Sequence, residues 1–569
     1  MPPLPWAGAF IGSVECNDGD ALPSMTARLD SLISLANVTI GARFLWHLPS
    51  FLRHPLSLDE ARAILHHRFQ RREADFLTIA RRAIYEHPGS PYRSLLNLAG
   101  CEYGDLERLV RKDGVEGALR ILYRQGVYLT VDEFKGRRPV VRGNVTVAVD
   151  PGRLHNPIST SHVVVRTSGS RGSGTPVLLD FASIRECAVD TFLFLEAQGG
   201  TGWLKAIWGV PGGTAISRFL EYSACGPPPL RWFSQVDPSA PGLHPRYRWS
   251  VRAMRLGGLL AGLSLPRLQH VPLDDPLPIA HWMAEVLHSG LTPYLHTLAS
   301  PAVRLCQAAF EARIELSGAH FTLGGEPVTE ARMAVVRRVG AHGLPRYGSA
   351  DTGGSIGDGC LTPEVVDDVH LFHDLQAVIQ PGPEGESFGL PATALLISSL
   401  RPTAPLILLN VSMGDQAVMT QRACGCPLEG LGWATHLHTI RSYEKLTSGG
   451  MTFLDTDVIR VLEEILPARF GGAPTDYQLL EDEAEDGRPR LRLLVHPSVG
   501  LLESEAVAET FLMAIGAGSG VKRVSGLLWR DAGLLRVERR APLTTATGKI
   551  LHLHTERRPS ERDSSGPRT

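Results

Sequence analysis

The sequence has few cysteines, almost no excess of either charge, and no long apolar run. Its 569 residues include 8 cysteines, and its formal net charge is -2. Cysteines this sparse argue against a disulfide framework, and a nearly neutral chain gives no reason to expect a nucleic-acid or membrane partner. The N-terminus lacks the basic and apolar segments of a secretory signal, and no apolar stretch reaches bilayer-spanning length. We therefore expect a cytoplasmic protein.

The length and the pattern of the chain predict an α/β protein of more than one domain. Apolar residues make up 43% and charged residues 20%, as in ordinary globular proteins. Residues 1–140 look mostly helical, with a capping box at Ser57–Glu60. β-Branched runs, such as the strand predicted over Leu406–Val411, then alternate with helical patterns, which indicates a layered α/β fold. We predict a large multi-layered domain over 1–440, a small α+β domain over 441–556 and a disordered tail over 557–569.

A glycine- and serine-rich loop follows the predicted strand at His162–Val165. Small residues let backbone N–H groups approach an anion, hydroxyl groups add donors, and Arg171 adds a positive charge, so the loop could wrap the outer phosphates of a nucleotide. A flexible surface loop explains the same residues equally well. The loop lacks the Gly-Lys-Ser/Thr ending of a P-loop, which disfavours an ordinary P-loop NTPase. The loop residues of interest are Thr167, Ser168, Gly169, Ser170, Arg171, Gly172 and Thr175.

Three later segments carry residues suited to nucleotide chemistry. Tyr347 could stack on a base, and an acidic residue nearby could hold Mg²⁺. Asp415, after the predicted strand, could hold ribose hydroxyls through paired hydrogen bonds. Lys549, in a loop of small residues, could stabilise charge on a carboxylate–phosphate transition state. Taken singly, each is equally compatible with a turn or a surface residue. The other residues of these segments are Gly325, Glu326, Gly348, Ser349 and Asp351.

In their order and spacing, these motifs resemble those of the ANL superfamily of acyl-CoA synthetases, adenylation domains and luciferases. The phosphate loop is similar to its TSGSTG-type motif, the segment Tyr347–Asp351 to its YGSTE motif, and the loop 542–549 to its PxTxxGK motif. Asp415 resembles the ribose-binding aspartate of that superfamily, and Arg441 resembles its hinge arginine. The resemblance extends over roughly residues 160–555.

The resemblance implies an AMP-forming ligase that uses ATP and Mg²⁺. A carboxylate would attack the α-phosphorus of ATP, and the acyl group would then pass to an acceptor. CoA is the main expected acceptor. Lys549 would be catalytic, Asp351 would hold Mg²⁺, and Tyr347 would pack on adenine. Residues 1–440 would be the adenylation domain, and residues 441–556 would be a mobile lid that turns about Arg441. The loop residues, together with Gly325, Glu326, Gly348, Ser349 and Asp415, would bind the nucleotide.

The branch and the substrate are less closely defined. Cys360, His370 and the pair Cys424 and Cys426 resemble residues of the phenylacetate–CoA ligase group. Where the superfamily often has Thr-Glu, this chain has Ala350-Asp351, and the shorter Asp would reach Mg²⁺ through water. The residues expected to contact an apolar or aromatic acid are Trp208, Phe219, Tyr222 and Leu323, and ordinary core packing is the alternative for each.

Other functions remain open. The acceptor could instead be an amine, a carrier-protein thiol or another nucleophile, and the activated oxyanion could be unusual. A non-catalytic nucleotide-binding protein is a third hypothesis, against which the retention of Asp415 and Lys549 argues. The expected partners are therefore the acid, ATP and the acceptor, and a homodimer is compatible with the sequence.

A Cys₃His set suggests a structural zinc site. Zinc takes four ligands in a tetrahedron, and a C-x-C pair can supply two of them. The alternative is a group of buried thiols with a solvated histidine, and His373 competes as a ligand. The predicted set is Cys360, His370, Cys424 and Cys426.

Overall fold

The structure, a computed structural model, describes most of the chain. The described residues are 25–166, 175–240, 246–443, 446–448, 451–453, 455–483, 489–516, 535–545 and 548–555. Residues 167–174 of the predicted phosphate loop and the tail over 557–569 lie outside them.

Helices make up most of the described chain from residue 25 to residue 139. The hydroxyl group of Ser57 accepts the backbone N–H of Glu60 at 3.1 Å, as the predicted capping box requires at the start of a helix. The second helix continues as a π-helix over Ala80–Tyr85. The helices are α1 (Met25–Arg53), α2 (Leu58–Ile79), α3 (Pro91–Leu98), α4 (Tyr103–Arg124) and α5 (Val131–Phe134).

A 12-stranded sheet dominates the middle of the chain. Two short hairpins, β1–β2 and β3–β4, precede it. The elements are β1 (Val140–Arg142), β2 (Val145–Val147), β3 (Val163–Arg166), β4 (Pro176–Leu179), α6 (Phe181–Ala197), β5 (Leu204–Gly209), α7 (Gly213–Ala224), β6 (Arg231–Ser234), α8 (Arg246–Leu260), β7 (Leu268–His270), α9 (Leu277–His288), β8 (Pro293–Leu298), α10 (Ala299–Glu311), β9 (His320–Gly324), α11 (Glu330–Arg338), β10 (His342–Ser349), β11 (Gly354–Gly359), β12 (Val369–Leu371), β13 (Gln376–Ile379), β14 (Ala394–Ser399), β15 (Val411–Gln421), α12 (Pro427–Gly430) and β16 (Thr435–Ser442). The strand order is β13-β14-β15-β16-β12-β11-β10-β9-β8-β5-β6-β7.

The half of this sheet from β10 to β7 is parallel. Successive residues of a strand point to opposite faces, and here both faces are covered: Ile207 belongs to one apolar cluster, whereas Trp208 belongs to another. The carboxyl ends of parallel strands meet at one edge, which is where ligands bind in such sheets. That edge carries the ends of β6, β5, β8, β9 and β10.

The other half, from β10 to β13, is antiparallel. Its central pair places Asp415 of β15 opposite Ser442 of β16. The strand predicted over Leu406–Val411 is wrong: the described strand is β15, which begins at Val411, so Asp415 lies inside a strand and not after one. Leu406–Leu409 is buried without a ladder because its backbone groups bond elsewhere: the N–H of Ile407 donates to the carbonyl of Leu154, and the N–H of Leu408 donates to the hydroxyl group of Ser399.

The described residues from 446 onward form a second, smaller unit, called here the C-terminal unit. It has its own apolar cluster, which includes Leu462, Tyr477, Leu493 and Phe511. Its four-stranded sheet has the order β21-β20-β19-β22. Its elements are β17 (Leu446–Ser448), β18 (Met451–Phe453), α13 (Asp455–Arg460), a π-helix (Val461–Ile465), α14 (Leu466–Phe470), β19 (Tyr477–Glu483), β20 (Pro489–Val495), α15 (Ser504–Gly516), β21 (Leu535–Arg539) and β22 (Leu553–Thr555).

The predicted α/β class, with a large sheet unit followed by a small α+β unit, is confirmed by these elements. Among the helices of the described residues, none is both long and apolar enough to cross a membrane.

Candidate active site

Tyr347 of β10 and Asp415 of β15 lie in direct contact. The hydroxyl group of Tyr347 donates a hydrogen bond of 3.0 Å to Oδ2 of Asp415. Burial and the neighbouring carboxylate raise the pKa of Tyr347, so the phenol stays protonated and acts as the hydrogen-bond donor to Asp415. The structure thus brings together the residues predicted to contact the adenine ring and the ribose.

Lys549 of the C-terminal unit lies against the turn after β9. Gly325 adopts a left-handed φ of 74°, and a Cβ atom there would lie 3.3 Å from Cε and 3.6 Å from Nζ of Lys549. Burial lowers the pKa of Lys549, whereas the charges of Glu326 and Asp415 favour its protonated form. The predicted catalytic lysine therefore lies against the Gly325 turn at the carboxyl edge of the parallel strands, where the charge of Asp415 also acts on it.

Glu326 contacts the chain next to Lys549 and not a described nucleotide-binding group. Its Oε1 accepts the backbone N–H of Ile550 at 3.0 Å. Its carboxylate also accepts the backbone N–H and the hydroxyl group of Ser300, each at 2.8 Å, at the start of α10. A nucleotide role for the Glu326 side chain therefore remains only a prediction, and the structure gives it contacts with the loop that carries Lys549.

Asp351, the predicted Mg²⁺ ligand, is paired with a lysine. Nζ of Lys135 lies 2.8 Å from Oδ2 of Asp351, whereas Oδ1 is buried and has no hydrogen-bond partner within the described part of the chain. The hydroxyl group of Ser349 accepts the N–H of Asp351 and fixes the short turn after β10. Gly348 precedes that turn, and a Cβ atom there would lie 2.5 Å from the carbonyl oxygen of Gly354. Lys135 had no signal in the sequence, because it lies far from any of the motifs.

The stems of the predicted phosphate loop lie beside the same edge. Arg166 of β3 pairs with Pro176 of β4, so the loop connects an antiparallel hairpin that is described from Thr175 onward. A Cβ atom on Gly213, at the start of α7, would lie 2.1 Å from the carbonyl oxygen of Val164. This close approach holds the hairpin next to the end of β5.

The residues predicted to contact the acid lie in packed cores. The indole N–H of Trp208 donates to the carbonyl of Val271 at 2.9 Å. The hydroxyl group of Tyr222 lies 3.2 Å from that of Tyr294 and 3.2 Å from Nδ1 of His296. Phe219 and Leu323 are fully or almost fully buried as well. Core packing accounts for all these contacts, and a role in substrate binding stays a prediction.

Arg441, the predicted hinge residue, is tied to the large sheet. Its Nη1 lies 2.7 Å from Oδ2 of Asp367, and the same carboxylate accepts the N–H groups of Thr439 and Ile440 at 2.9 and 3.0 Å. Asp367 thus holds the last residues of β16, where Arg441 is the residue before the final Ser442. A hinge beyond this point remains a prediction.

The predicted zinc ligands converge. Nε2 of His370 lies 3.1 Å from Sγ of Cys426 and 3.7 Å from Sγ of Cys424. Nδ1 of His370 lies 2.5 Å from the carbonyl oxygen of Trp433, a contact that leaves Nε2 free to act as a ligand. Burial and the neighbouring thiols raise the pKa of Cys360 to about 12, so these thiols need a cation in order to ionise together.

Among the described residues, the group of potential metal ligands that all lie close to one another includes His436, which was not predicted, and omits both the predicted Cys426 and His373. Ligand atoms of Cys360, His370, Cys424 and His436 all lie within 4.8 Å of one another. Nδ1 of His436 lies 2.8 Å from Oδ1 of Asp368, and its Nε2 has no partner among the described residues. His373 instead packs on the ring of Phe69. His436 was missed because it lies beyond the C-x-C pair, in the strand next to β12.

Neither a model of a known family nor a curated protein sequence matches this chain. It is similar to the solved structure of 2-hydroxyisobutyryl-CoA ligase with 2-HIB-AMP in the postadenylation state, over 89% of this chain and 91% of that one, at 14% identity and a TM-score of 0.48. It is also similar to ATP-bound MatB from Rhodopseudomonas palustris, over 69% and 66% of the two chains, at 11% identity and a TM-score of 0.38. A third similarity is to the amide bond synthetase McbA from Marinactinospora thermotolerans, over 73% and 70%, at 15% identity and a TM-score of 0.39. At these values the similarities support no statement about a substrate or an acceptor.

Proposed function

We propose that this chain is an AMP-forming ligase of the ANL type, which activates a small apolar or aromatic carboxylic acid with ATP and transfers the acyl group to CoA. The observation that carries the proposal is the position of Lys549. This lysine of the C-terminal unit lies against Gly325, and the negative charge of Asp415, a residue of the large sheet, favours its protonated form. Residues far apart in the sequence thus meet at the edge where parallel sheets bind ligands.

In the first step, an oxygen of the acid attacks the α-phosphorus of ATP, a new O–P bond forms, and pyrophosphate leaves. Lys549 would stabilise the negative charge that develops between the carboxylate and the α-phosphate. Asp415 would hold the ribose, and Tyr347 would both pack on adenine and orient the Asp415 carboxylate. Ser168, Ser170, Arg171 and Thr175 would bind the outer phosphates. The protein contributes mainly positioning and charge.

Asp351 suits the proposed Mg²⁺ site in one respect. Oδ1 of this carboxylate is buried and unpaired among the residues that the structure describes, and buried carboxylate oxygens of this kind need a cation or a donor. Asp351 would therefore hold Mg²⁺, which supplies positive charge for the outer phosphates. Lys135 would keep the remaining oxygen of Asp351 neutralised in the absence of the nucleotide.

In the second step, the thiol of CoA attacks the acyl carbonyl carbon, the C–O bond to AMP breaks, and the thiol proton is lost to solvent. The C-terminal unit would turn about Arg441 and Ser442, which removes Lys549 and admits the acceptor. The ion pair between Arg441 and Asp367 would keep one side of this hinge fixed. An amine, a carrier-protein thiol or an unusual oxyanion would use the same first step.

The cluster of Cys360, His370, Cys424 and Cys426 would hold a structural Zn²⁺ ion. Soft sulfur donors and one imidazole nitrogen are the ligand set that zinc prefers. Such a site would tie the end of β11 and the strand β12 to the loop before α12, on the antiparallel half of the sheet. His436 would compete as a ligand.

Pyrophosphate exchange into ATP over a panel of acids tests the first step. An acid that supports exchange is then supplied with hydroxylamine, which traps an acyl adenylate whatever the natural acceptor is, and with CoA, which gives a thioester if CoA is that acceptor. Lys549→Ala should abolish the exchange, whereas Lys112→Ala, at an exposed position of α4, should leave it intact. ATP binding without exchange for any acid would favour a non-catalytic nucleotide-binding protein instead.

A further inference from the structure

The C-terminal unit is attached to the large unit through a buried carboxylate. Oε1 of Glu463 accepts the Nε–H of Arg332 at 2.7 Å, and Nε2 of His552 lies 2.6 Å from the same oxygen. The hydroxyl group of Thr329 donates to Oε2. Burial alone would raise the pKa of Glu463, but the charge of Arg332 and the contacts with His552 and Thr329 lower it to about 2.

Arg332 connects this anchor to the place where Lys549 sits. Its side chain is almost fully buried, and Nη1 lies 3.8 Å from Oε1 of Glu326. Glu326 in turn accepts the N–H of Ile550, the residue after Lys549. Arg332 of α11 therefore contacts Glu463 of the C-terminal unit and also lies near Glu326, which accepts a hydrogen bond from the loop that carries Lys549. We call Glu326, Arg332 and Glu463 the docking clamp.

The loop that carries Lys549 packs closely against the large unit. Gly548 has a φ of 84°, and a Cβ atom there would lie only 1.8 Å from Oε1 of Gln235, at the end of β6. The hydroxyl group of Ser300 accepts the N–H of Ile550 at 3.2 Å, next to the bond from Glu326. A small shift of the C-terminal unit would break these contacts together. The docking clamp and the contacts of the loop with Gln235 and Ser300 therefore hold Lys549 in the same position.

We infer that the docking clamp positions Lys549 for the adenylation step and must open before acyl transfer. The inference rests on the proposed function, and it assigns to Glu326 a role in docking. A buried ion pair is suited to this, because the cost of removing its charges from water offsets much of their attraction. The ion pair then fixes the position of the docked C-terminal unit but adds little net stability, so the unit can still undock.

Loss of one clamp charge should shift the unit away from the docked arrangement. Glu463→Gln keeps the shape of the side chain but leaves Arg332 buried without its main counter-charge, which is strongly unfavourable in the docked state. When the unit undocks, Arg332 regains water. Ser300→Ala, on the large unit, removes the hydroxyl group that accepts the N–H of Ile550 and changes no charge.

Hydrogen–deuterium exchange at the Ile550 amide, isolated by fragmentation mass spectrometry on the full chain, tests this without any substrate. We expect exchange about tenfold faster in Glu463→Gln, and faster also in Ser300→Ala, with β19 and β20 still protected. Glu538→Gln is the matched control, because Glu538 pairs with Arg492 inside the C-terminal unit. Unchanged Ile550 exchange in Glu463→Gln would overturn the inference, whatever the result for Ser300→Ala, because Ser300→Ala removes a hydrogen bond of the Ile550 amide itself. If Glu463→Gln also exposes β19 and β20, Arg332→Met, which removes the opposite charge of the clamp from the large unit, decides, and unchanged Ile550 exchange in that variant would overturn the inference.

A kinetic comparison separates positioning from general damage. With phenylacetate or whichever acid supports pyrophosphate exchange, Glu463→Gln should slow exchange about 10- to 100-fold, as expected when a catalytic group is misplaced. Transfer from the supplied acyl adenylate to CoA should stay within about twofold of the parent rate, because that step requires the undocked unit. An equal loss in both steps would contradict the assignment. If no acid supports exchange, the proposed function fails, but the Ile550 measurement still stands.

Discussion

Nζ of Lys135 lies 2.8 Å from Oδ2 of Asp351, and only 18% and 6% of the two side chains are exposed. The other oxygen of Asp351 is buried and has no hydrogen-bond partner in the described ranges of the chain. A lysine and the proposed Mg²⁺ ion would therefore share one carboxylate. Two cations on one acid repel each other, so each weakens the binding of the other.

Lys135→Met should make adenylation reach half of its maximal rate at a lower Mg²⁺ concentration, by about three- to tenfold. Removal of the ammonium group takes away a competitor for Asp351 and a repelling charge near the metal. The measurement is pyrophosphate exchange against Mg²⁺ concentration, with Lys135→Arg as the control that keeps the charge. A higher Mg²⁺ requirement in Lys135→Met would show that the lysine assists the metal and does not compete with it.

The sequence predicted the α/β class and the capped start of α2 because these depend on local spacing and capping. It failed at Leu406–Leu409, where a β-like apolar run is buried without a ladder because its N–H groups find other partners, including the carbonyl of Leu154 and the hydroxyl group of Ser399. Burial and strand pairing give the same apolar pattern in a short run. Tertiary contacts alone separate the two.

The proximity of candidate site residues was predictable where they lie in a motif and not where they are linked only by a contact. Tyr347, Asp415 and Lys549 each belong to a short pattern, and the structure brings Tyr347 and Asp415 into contact and places Lys549 against Gly325. Lys135 and Arg332 carry no pattern, because an isolated basic residue is usually a solvated one. Their importance arises from burial beside an acid, which is a property of the fold.

Tyr347→Phe should raise the KM for ATP about fivefold to tenfold, with a smaller effect on kcat. The variant keeps the ring but removes the hydrogen bond that orients Asp415, and a bond to a charged group contributes about 1.5 kcal/mol. Steady-state kinetics with varied ATP measures this. Asp415→Asn, which loses the charge as well, should have the larger effect. Equal KM values for the parent and Tyr347→Phe would separate Tyr347 from nucleotide binding.

Adenylation should fall at high pH as Lys549 loses its proton, and it should do so below the pH range of an ordinary lysine. Burial lowers the pKa of Lys549, and only the ammonium form can stabilise the developing negative charge. The rate of pyrophosphate exchange measured from neutral to alkaline pH checks this. Lys549→Arg, whose guanidinium group stays charged, should lose rate at neutral pH but lack the alkaline decline. A decline identical to that of the parent protein would assign the titration to another group.

Purified protein should contain about one zinc ion per chain, because Cys360, His370 and Cys424 lie close together, and either Cys426 or His436 would supply the fourth ligand. Cys424→Ser should weaken zinc binding by about 100-fold, which corresponds to about 2.7 kcal/mol of stabilisation lost at a fixed metal concentration. The matched control is Cys306→Ser, because Cys306 is buried in α10, away from the cluster. Inductively coupled plasma mass spectrometry gives the metal content, and thermal unfolding with and without a chelator gives the stability. A metal-free chain whose unfolding is insensitive to both the chelator and Cys424→Ser would leave the cluster without a metal role, and the raised pKa values of Cys360 and Cys424 already favour their protonated forms when no cation is bound.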